Sequence, residues 1–193
     1  MDYSLAIRGT EERTIPGGTA LLLLHPSTGE TDRIDTDFLK TDTDRFLVVS
    51  TRTTAREVLQ KLDYYDVDEE SAVILDTLSI ERGYSRRSTD RIHYASAPDD
   101  LDGIVEQTAD FLENSDGKRR VSVDSITELA YYAGETRTVE AVERILDLLE
   151  EHDAVGIFHL SPEVHEDHLV DRYRDLFDGT VELDEDGTVS LDL

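Results

Sequence analysis

Leu21-Leu22-Leu23-Leu24-His25-Pro26-Ser27-Thr28-Gly29-Glu30-Thr31 is the stretch that decides how this chain is read. An unbroken apolar run suits a strand buried on both faces, and Pro, Ser and Gly make a turn. Thr31 and the polar residues after it can open a helix. This is the layout of a strand, a phosphate loop and a helix, but the position where such a loop carries lysine holds Glu30.

The rest of the chain repeats that alternation. Phe46–Ser50, Ala72–Leu75, Val121–Val123 and Val155–Leu160 read as strands. Helical patterns fall between them: a weak one at Thr31–Leu39, then Ala55–Tyr65 with Thr54 as its cap, and one opened by Pro98-Asp99-Asp100. Others cover Ser125–Tyr132, Thr138–His152 and Val164–Phe177, and Arg91–Ala95 reads as a short strand. Residues Met1–Pro16 form a lead-in strand or arm in which Tyr3, Leu5 and Ile7 alternate. Asp178-Gly179 and Asp186-Gly187 frame a closing antiparallel hairpin over Thr180–Leu183 and Thr188–Leu191. The expected fold is α/β, with a mostly parallel sheet, helices on both faces and one domain over residues 1–193. In such sheets ligands bind beyond the carboxyl ends of the strands, where Pro26–Thr31, Ser50–Thr54, Asp76 and Asp124 converge.

Composition narrows the class. The 193 residues are 38% hydrophobic and 33% charged, with 45 acidic against 19 basic residues and a formal net charge of -26. Only Lys40, Lys61 and Lys118 are lysines. The apolar blocks argue against a disordered acidic chain and for a folded protein with an acid-coated surface. At molar salt the Debye length falls to roughly 3 Å and the self-repulsion is screened, so the balance reads as adaptation to a salt-accumulating cell. With no cysteine, disulfides and thiolate metal sites are excluded. No long apolar segment or signal-peptide pattern occurs, so a soluble, cytoplasmic protein without membrane contact is expected.

The motifs together resemble the RecA superfamily of P-loop ATPases, most closely its KaiC-like branch, widespread in archaea, in a degenerate haloarchaeal form. Gly17-Gly18-Thr19-Ala20-Leu21-Leu22 matches the lead into the family's Walker A loop, and Pro26, Gly29 and Thr31 match the loop itself. Leu24, Ser27 and Glu30 depart from it. Val121-Ser122-Val123-Asp124-Ser125-Ile126-Thr127-Glu128-Leu129 is close to the family's Walker B strand and the helix after it.

The resemblance implies a RecA-like three-layer fold. It also implies that ATP and Mg²⁺ would be the ligands of an intact member. The departures disfavour both. A phosphate loop cradles phosphates with backbone N–H groups at a helix N-terminus, and lysine adds charge. A unit charge pair at ~4 Å and an effective dielectric near 20 is worth roughly 4 kcal/mol, so Glu30 reverses a term of that size. The pair of glutamates that family members place after the second strand is replaced by Arg52-Thr53, leaving no general base there. Asp124 has two readings: a water-mediated Mg²⁺ ligand, or a cap on Ile126 or Thr127.

No catalytic residue and no metal ligand is therefore assigned. His159, His165 and His168, with Glu163 and Glu166, form the densest histidine group; His165 and His168 could share a helix face, but a solvated acidic helix start is preferred. Arg82, Arg86, Arg87 and Arg91 form a basic island with Tyr84, read as a partner contact or as pairs with surface carboxylates. Pairing is the preferred outcome. Tyr131-Tyr132 are expected in the core or at a subunit interface. The leading expectation is a pseudo-ATPase serving as a regulatory or signalling interaction module, with a protein partner or a homo-oligomer. The alternative is a nucleotide-binding protein or weak ATPase with a divergent phosphate loop. A DNA-associated role through the arginines is disfavoured.

Overall fold

The computed structural model describes residues 1–84 and 86–193. Its chain order begins with an antiparallel hairpin, β1 (Asp2–Leu5) and β2 (Arg13–Pro16), followed by β3 (Ala20–Leu24) and α1 (Asp32–Lys40). Next come β4 (Arg45–Ser50), α2 (Ala55–Tyr64), β5 (Ala72–Asp76), β6 (Ile92–Tyr94) and α3 (Leu101–Glu113). The second half contains β7 (Arg119–Asp124), α4 (Ile126–Ala133), α5 (Glu135–Glu151) and β8 (Val155–Leu160). It closes with α6 (Asp167–Arg174), β9 (Gly179–Leu183) and β10 (Val189–Asp192).

Eight strands form one sheet in the order β10-β9-β3-β8-β7-β4-β5-β6. Every neighbouring pair is parallel except β9 with β10. Successive side chains of a strand face opposite ways, so each strand feeds two cores. Leu22, Leu24, Val49, Val123 and Phe158 pack with α3, α4, α5 and α6. Leu21, Leu23, Val48, Ile157 and Val181 pack with α1, α2 and the N-terminal hairpin. This two-sided cover is why β3 reads as a continuous apolar run.

Local chemistry starts and ends the elements. Thr54 and Glu57 form a capping box on α2, each satisfying the other's backbone N–H. Asp100 caps α3 through Gly103 N–H at 3.0 Å. Gly17 approaches Asp153 so closely that a Cβ there would lie 2.5 Å from the Asp153 carbonyl oxygen, and Gly18 has φ +89°. Only glycine fits this crossing from hairpin to β3.

Three expectations change in detail. The arm over residues 1–16 is a hairpin whose Tyr3, Leu5, Ile7 and Ile15 are core residues. The last helix is shorter than Val164–Phe177, because Pro162–Val164 forms a separate 3-10 turn and α6 starts at Asp167. Strand β7 is not continuously apolar: Arg120, Ser122 and Asp124 alternate with Val121 and Val123, and all are buried. Among the described residues no helix is long and apolar enough to cross a membrane.

The hairpin is bound to the sheet through Tyr3. Its hydroxyl donates to the Asp153 carbonyl at 2.9 Å and accepts from Arg119 N–H at 3.1 Å, while its ring lies 5.3 Å from the Arg120 guanidinium carbon. Tyr3→Ala is expected to cost about 3–5 kcal/mol, as for other buried aromatic truncations, against about 1 kcal/mol for Tyr3→Phe. Urea unfolding in molar KCl measures both.

Candidate functional site

The carboxyl ends of β3, β4, β7 and β8 meet at the edge where the loop from His25 to Thr31 crosses the sheet. His25 N–H donates to the Leu160 carbonyl at 3.1 Å, and Gly29 N–H turns inward to the Pro26 carbonyl at 2.8 Å. Ser27 N–H donates to the carboxylate of Glu163. An internal carboxylate thus stands on a loop N–H that a phosphate loop would offer to its anion. Partial burial opposes the charge of Glu163, but the Ser27 hydrogen bond outweighs it and holds the carboxyl below its ordinary value.

Glu30 is exposed and faces a cavity of about 890 Å³ between the loop, the start of α1 and the β9–β10 hairpin. Arg8 and Arg33 also line it, opposite Asp184, Glu185 and Asp186. Thr31 is buried and makes no side-chain cap on α1. Pro26 and Thr28 line the same cavity with Gly29.

Below the loop lies a chain of charges on the sheet face covered by α1 and α2. Asp35 of α1 is fully buried; its Oδ2 accepts from Lys61 Nζ at 2.8 Å and its Oδ1 from Ser122 Oγ at 2.5 Å. His159 Nε2 lies 3.2 Å from Asp35 Oδ1, and His159 Nδ1 lies 3.5 Å from Asp124 Oδ1. Arg52 Nε donates to Asp124 Oδ1 at 2.7 Å. The order is therefore Lys61, Asp35, His159, Asp124, Arg52. A neutral imidazole can donate to one of its two flanking carboxylates, and an imidazolium to both.

Burial opposes ionisation of both aspartates, yet their carboxyls are held below the ordinary range. Lys61 and His159 do this for Asp35, and His159 and Arg52 for Asp124. The cations answer in kind: against their own desolvation, Asp35 raises Lys61 and Asp124 raises Arg52. His25, edge-on to His159 with ring centroids 5.5 Å apart, is lowered to about 4 by burial and by its histidine neighbour.

Asp124 does not cap the following helix. Ser125 does, accepting Glu128 N–H, which leaves the aspartate free to take Arg52. Arg52, read from sequence only as the absence of a base, is the side chain that holds the Asp124 carboxylate. Asp76, the other acid ending a strand, is fully used: its oxygens accept from Ala55, Leu78 and Ser79 N–H groups and from Ser79 Oγ.

The remaining candidates are dispersed. His165 precedes α6 and sits between Thr127 Oγ1 (3.0 Å) and Glu135 (2.6 Å), while His168 is exposed on α6, so the two share no helix face. Among the described residues no group of three or more potential ligands could hold a metal ion. The expected pairing of the arginine island is not made. Arg82, Arg86 and Arg87 are exposed and in no ion pair among the described residues; Arg91 bonds the Glu69 carbonyl at 2.8 Å, and Arg86 lies 5.2 Å over the Tyr84 ring. Tyr131 and Tyr132 are not core residues but lie on the surface.

Asp35, Lys61 and Ser122 escaped the sequence reading as site residues, and Glu163 entered it only beside the histidines. One signal was available: Asp35 shares the apolar stripe of α1 with Ile34, Phe38 and Leu39.

Two measurements probe this edge. Asp35→Asn takes from Lys61 its nearest counter-charge, leaving only Asp32 at 3.9 Å, and is expected to cost about 3–5 kcal/mol, whereas Asp35→Leu with Lys61→Met costs less. Acid is expected to unfold the protein progressively. Asp35 and Asp124 bind protons more weakly folded than unfolded, so their contribution is complete above about pH 4 and is lost below it. His25 adds to the same loss between its ordinary 6.5 and about 4. Each such group contributes roughly 1.4 kcal/mol per pH unit across its window, and His25→Gln should flatten the stability curve between pH 6.5 and 4.

The same architecture recurs in solved structures. A KaiC-like protein, PH0186, from Pyrococcus horikoshii OT3 is 17% identical with a TM-score of 0.62, covering 92% of this chain and 79% of that one. The uncharacterized protein PH0321 from Pyrococcus horikoshii, solved with an unknown peptide, is 12% identical with a TM-score of 0.63, covering 92% and 83%. An ATPase from the type III secretion system of pathogenic bacteria is 12% identical with a TM-score of 0.62; this chain is covered to 98% but spans only 60% of that one. At such identities the likeness establishes the fold, which is RecA-like. No curated protein matches the chain. Its sequence is matched from residue 1 to 193 by one family model, and the chain belongs to that family, the family of unknown function DUF7090.

Proposed function

We propose that this chain is a catalytically degenerate KaiC/RecA-like domain, a pseudo-ATPase that works as a regulatory or signalling interaction module. The observation that carries the reading is the Arg52–Asp124 ion pair at 2.7 Å. In an intact site the strand-end aspartate faces water and Mg²⁺; here it faces a guanidinium fixed by its own chain. Glu163 on the Ser27 N–H and Glu30 at the lysine position support the same reading, since each puts negative charge where phosphate would come. Moving such an anion into the loop would require breaking internal bonds that already satisfy it.

An interaction role accounts for what is kept. The scaffold is retained while Arg82, Arg86 and Arg87 stand exposed on a chain of net charge -26, available to an acidic protein surface. The acid coat itself serves solubility at molar salt.

A second reading, a nucleotide binder with a divergent loop, draws on the cavity of about 890 Å³ beside Thr28 and Gly29, with Arg8 and Arg33 on its wall. Thermal unfolding in molar KCl separates the two. A ligand at 100 times its Kd would add about 2.7 kcal/mol, a shift of several degrees. Millimolar MgATP is expected to leave the Tm unchanged. A rise of several degrees would instead establish the second reading. Glu30→Lys alone is expected to leave ATP unbound, because Glu163 still holds Ser27 and Arg52 still holds Asp124; isothermal titration of that variant checks it.

A further inference from the structure

A cavity of about 450 Å³ opens between α4, the start of α5 and the 3-10 turn Pro162–Val164. Tyr131 and Tyr132 of α4 line it, 80% and 42% exposed, with ring centroids 5.1 Å apart and planes at 86°. The two rings make an aromatic corner. Glu128 and Glu135 contribute carboxylates to the lining, and Val164, itself exposed, an apolar edge.

The inner wall of the cavity is fixed in place. Glu135 accepts from Tyr173 OH at 2.9 Å and meets His165 Nδ1 at 2.6 Å; the other nitrogen of that ring meets Thr127 Oγ1 at 3.0 Å. Thr127 Oγ1 in turn accepts from Ser161 N–H at 3.0 Å. Helix α4, helix α5 and the turn are thus held together beneath the tyrosines, while Tyr131 itself has little packed against it. A preformed concave site with few polar groups is the usual form of a ligand pocket.

Its chemistry selects the ligand. No lysine or arginine lines the cavity, and its two charged side chains are both acidic. An anion finds nothing there. A small inorganic cation would gain little from the rings and would find both oxygens of Glu135 engaged. An organic cation uses everything present: the aromatic faces attract a weakly hydrated ammonium or guanidinium, and the carboxylates supply the counter-charge. We propose that the cavity is a binding site for an organic cation, an alkylammonium or guanidinium group, held by Tyr131 and Tyr132 beside Glu128 and Glu135.

Titration followed by NMR of the tyrosine ring resonances tests this. Two probes are used on the full chain in KCl of constant ionic strength: tetramethylammonium chloride, and the blocked peptide Ala-Gly-Arg-Gly-Ala. Saturable shifts of Tyr131 and Tyr132, absent with KCl alone, are expected. Tyr131→Ala and Tyr132→Ala leave the net charge unchanged, so each should weaken binding at least tenfold if the rings carry it. Uptake by the acidic surface as a whole would survive both. Tyr131→Ala removes a side chain with little packing and keeps the test decisive if Tyr132→Ala unfolds. Peptide binding at least tenfold tighter than tetramethylammonium identifies the cation as a side chain presented by a protein; comparable or weaker peptide binding identifies a free small cation. Absence of a saturable shift with either probe, or shifts unchanged in Tyr131→Ala, overturns the proposal.

Discussion

The buried carboxylate of Asp35 is the constraint on which the centre of this molecule depends. A lone charge at that depth would be several kcal/mol out of balance, and only partners with good geometry repay the desolvation. Asp35 finds one on each neighbouring element: Lys61 on α2, Ser122 on β7 and His159 on β8. The carboxylate therefore dictates how two helices and two strands approach one another. Apolar packing alone would tolerate sliding among similar side chains; this arrangement admits one register. His159 then couples it to the second pair, Asp124 with Arg52, so that two carboxylates are balanced by two cations across the sheet edge.

That balance explains how a chain of net charge -26 spends its few cations. Arg120 is entirely buried, donates to the Ser4 carbonyl at 2.6 Å and stacks between Tyr3 and Phe38. Arg119 reaches the carbonyls of Leu112, Ser115 and His152. Together with Lys61 and Arg52 they tie separate elements to one another, a use in which guanidinium geometry and a long stem both count. The acidic excess is consequently a property of the surface.

How much of this was legible follows from the range of the interactions involved. The apolar run Leu21–Leu24, the Thr54 cap with Glu57 and the Asp-Gly turns are local signals, and each element they announced is present. The boundary of α6 was harder, because the 3-10 turn at Pro162–Val164 carries a helix-like composition. Strand β7 was legible as a strand but not in its contacts: Arg120, Ser122 and Asp124 are covered by the hairpin, α1 and Arg52. The partners lie 72 to 116 residues away, so nothing in the neighbourhood of β7 reveals them. The loop from Pro26 to Thr31 was readable in type and place, but Glu163, which meets it, lies 136 residues downstream of Ser27.

The position of β3 in the sheet has a consequence for assembly. Its neighbours are β8 and β9, which both belong to the last fifth of the chain, and only then does the strand carrying Leu21–Leu24 acquire hydrogen-bonding partners. During synthesis the N-terminal segments emerge first, and contacts of such long sequence separation form slowly. The strand Ala20–Leu24 thus waits, unpaired, until Val155–Leu160 has been made.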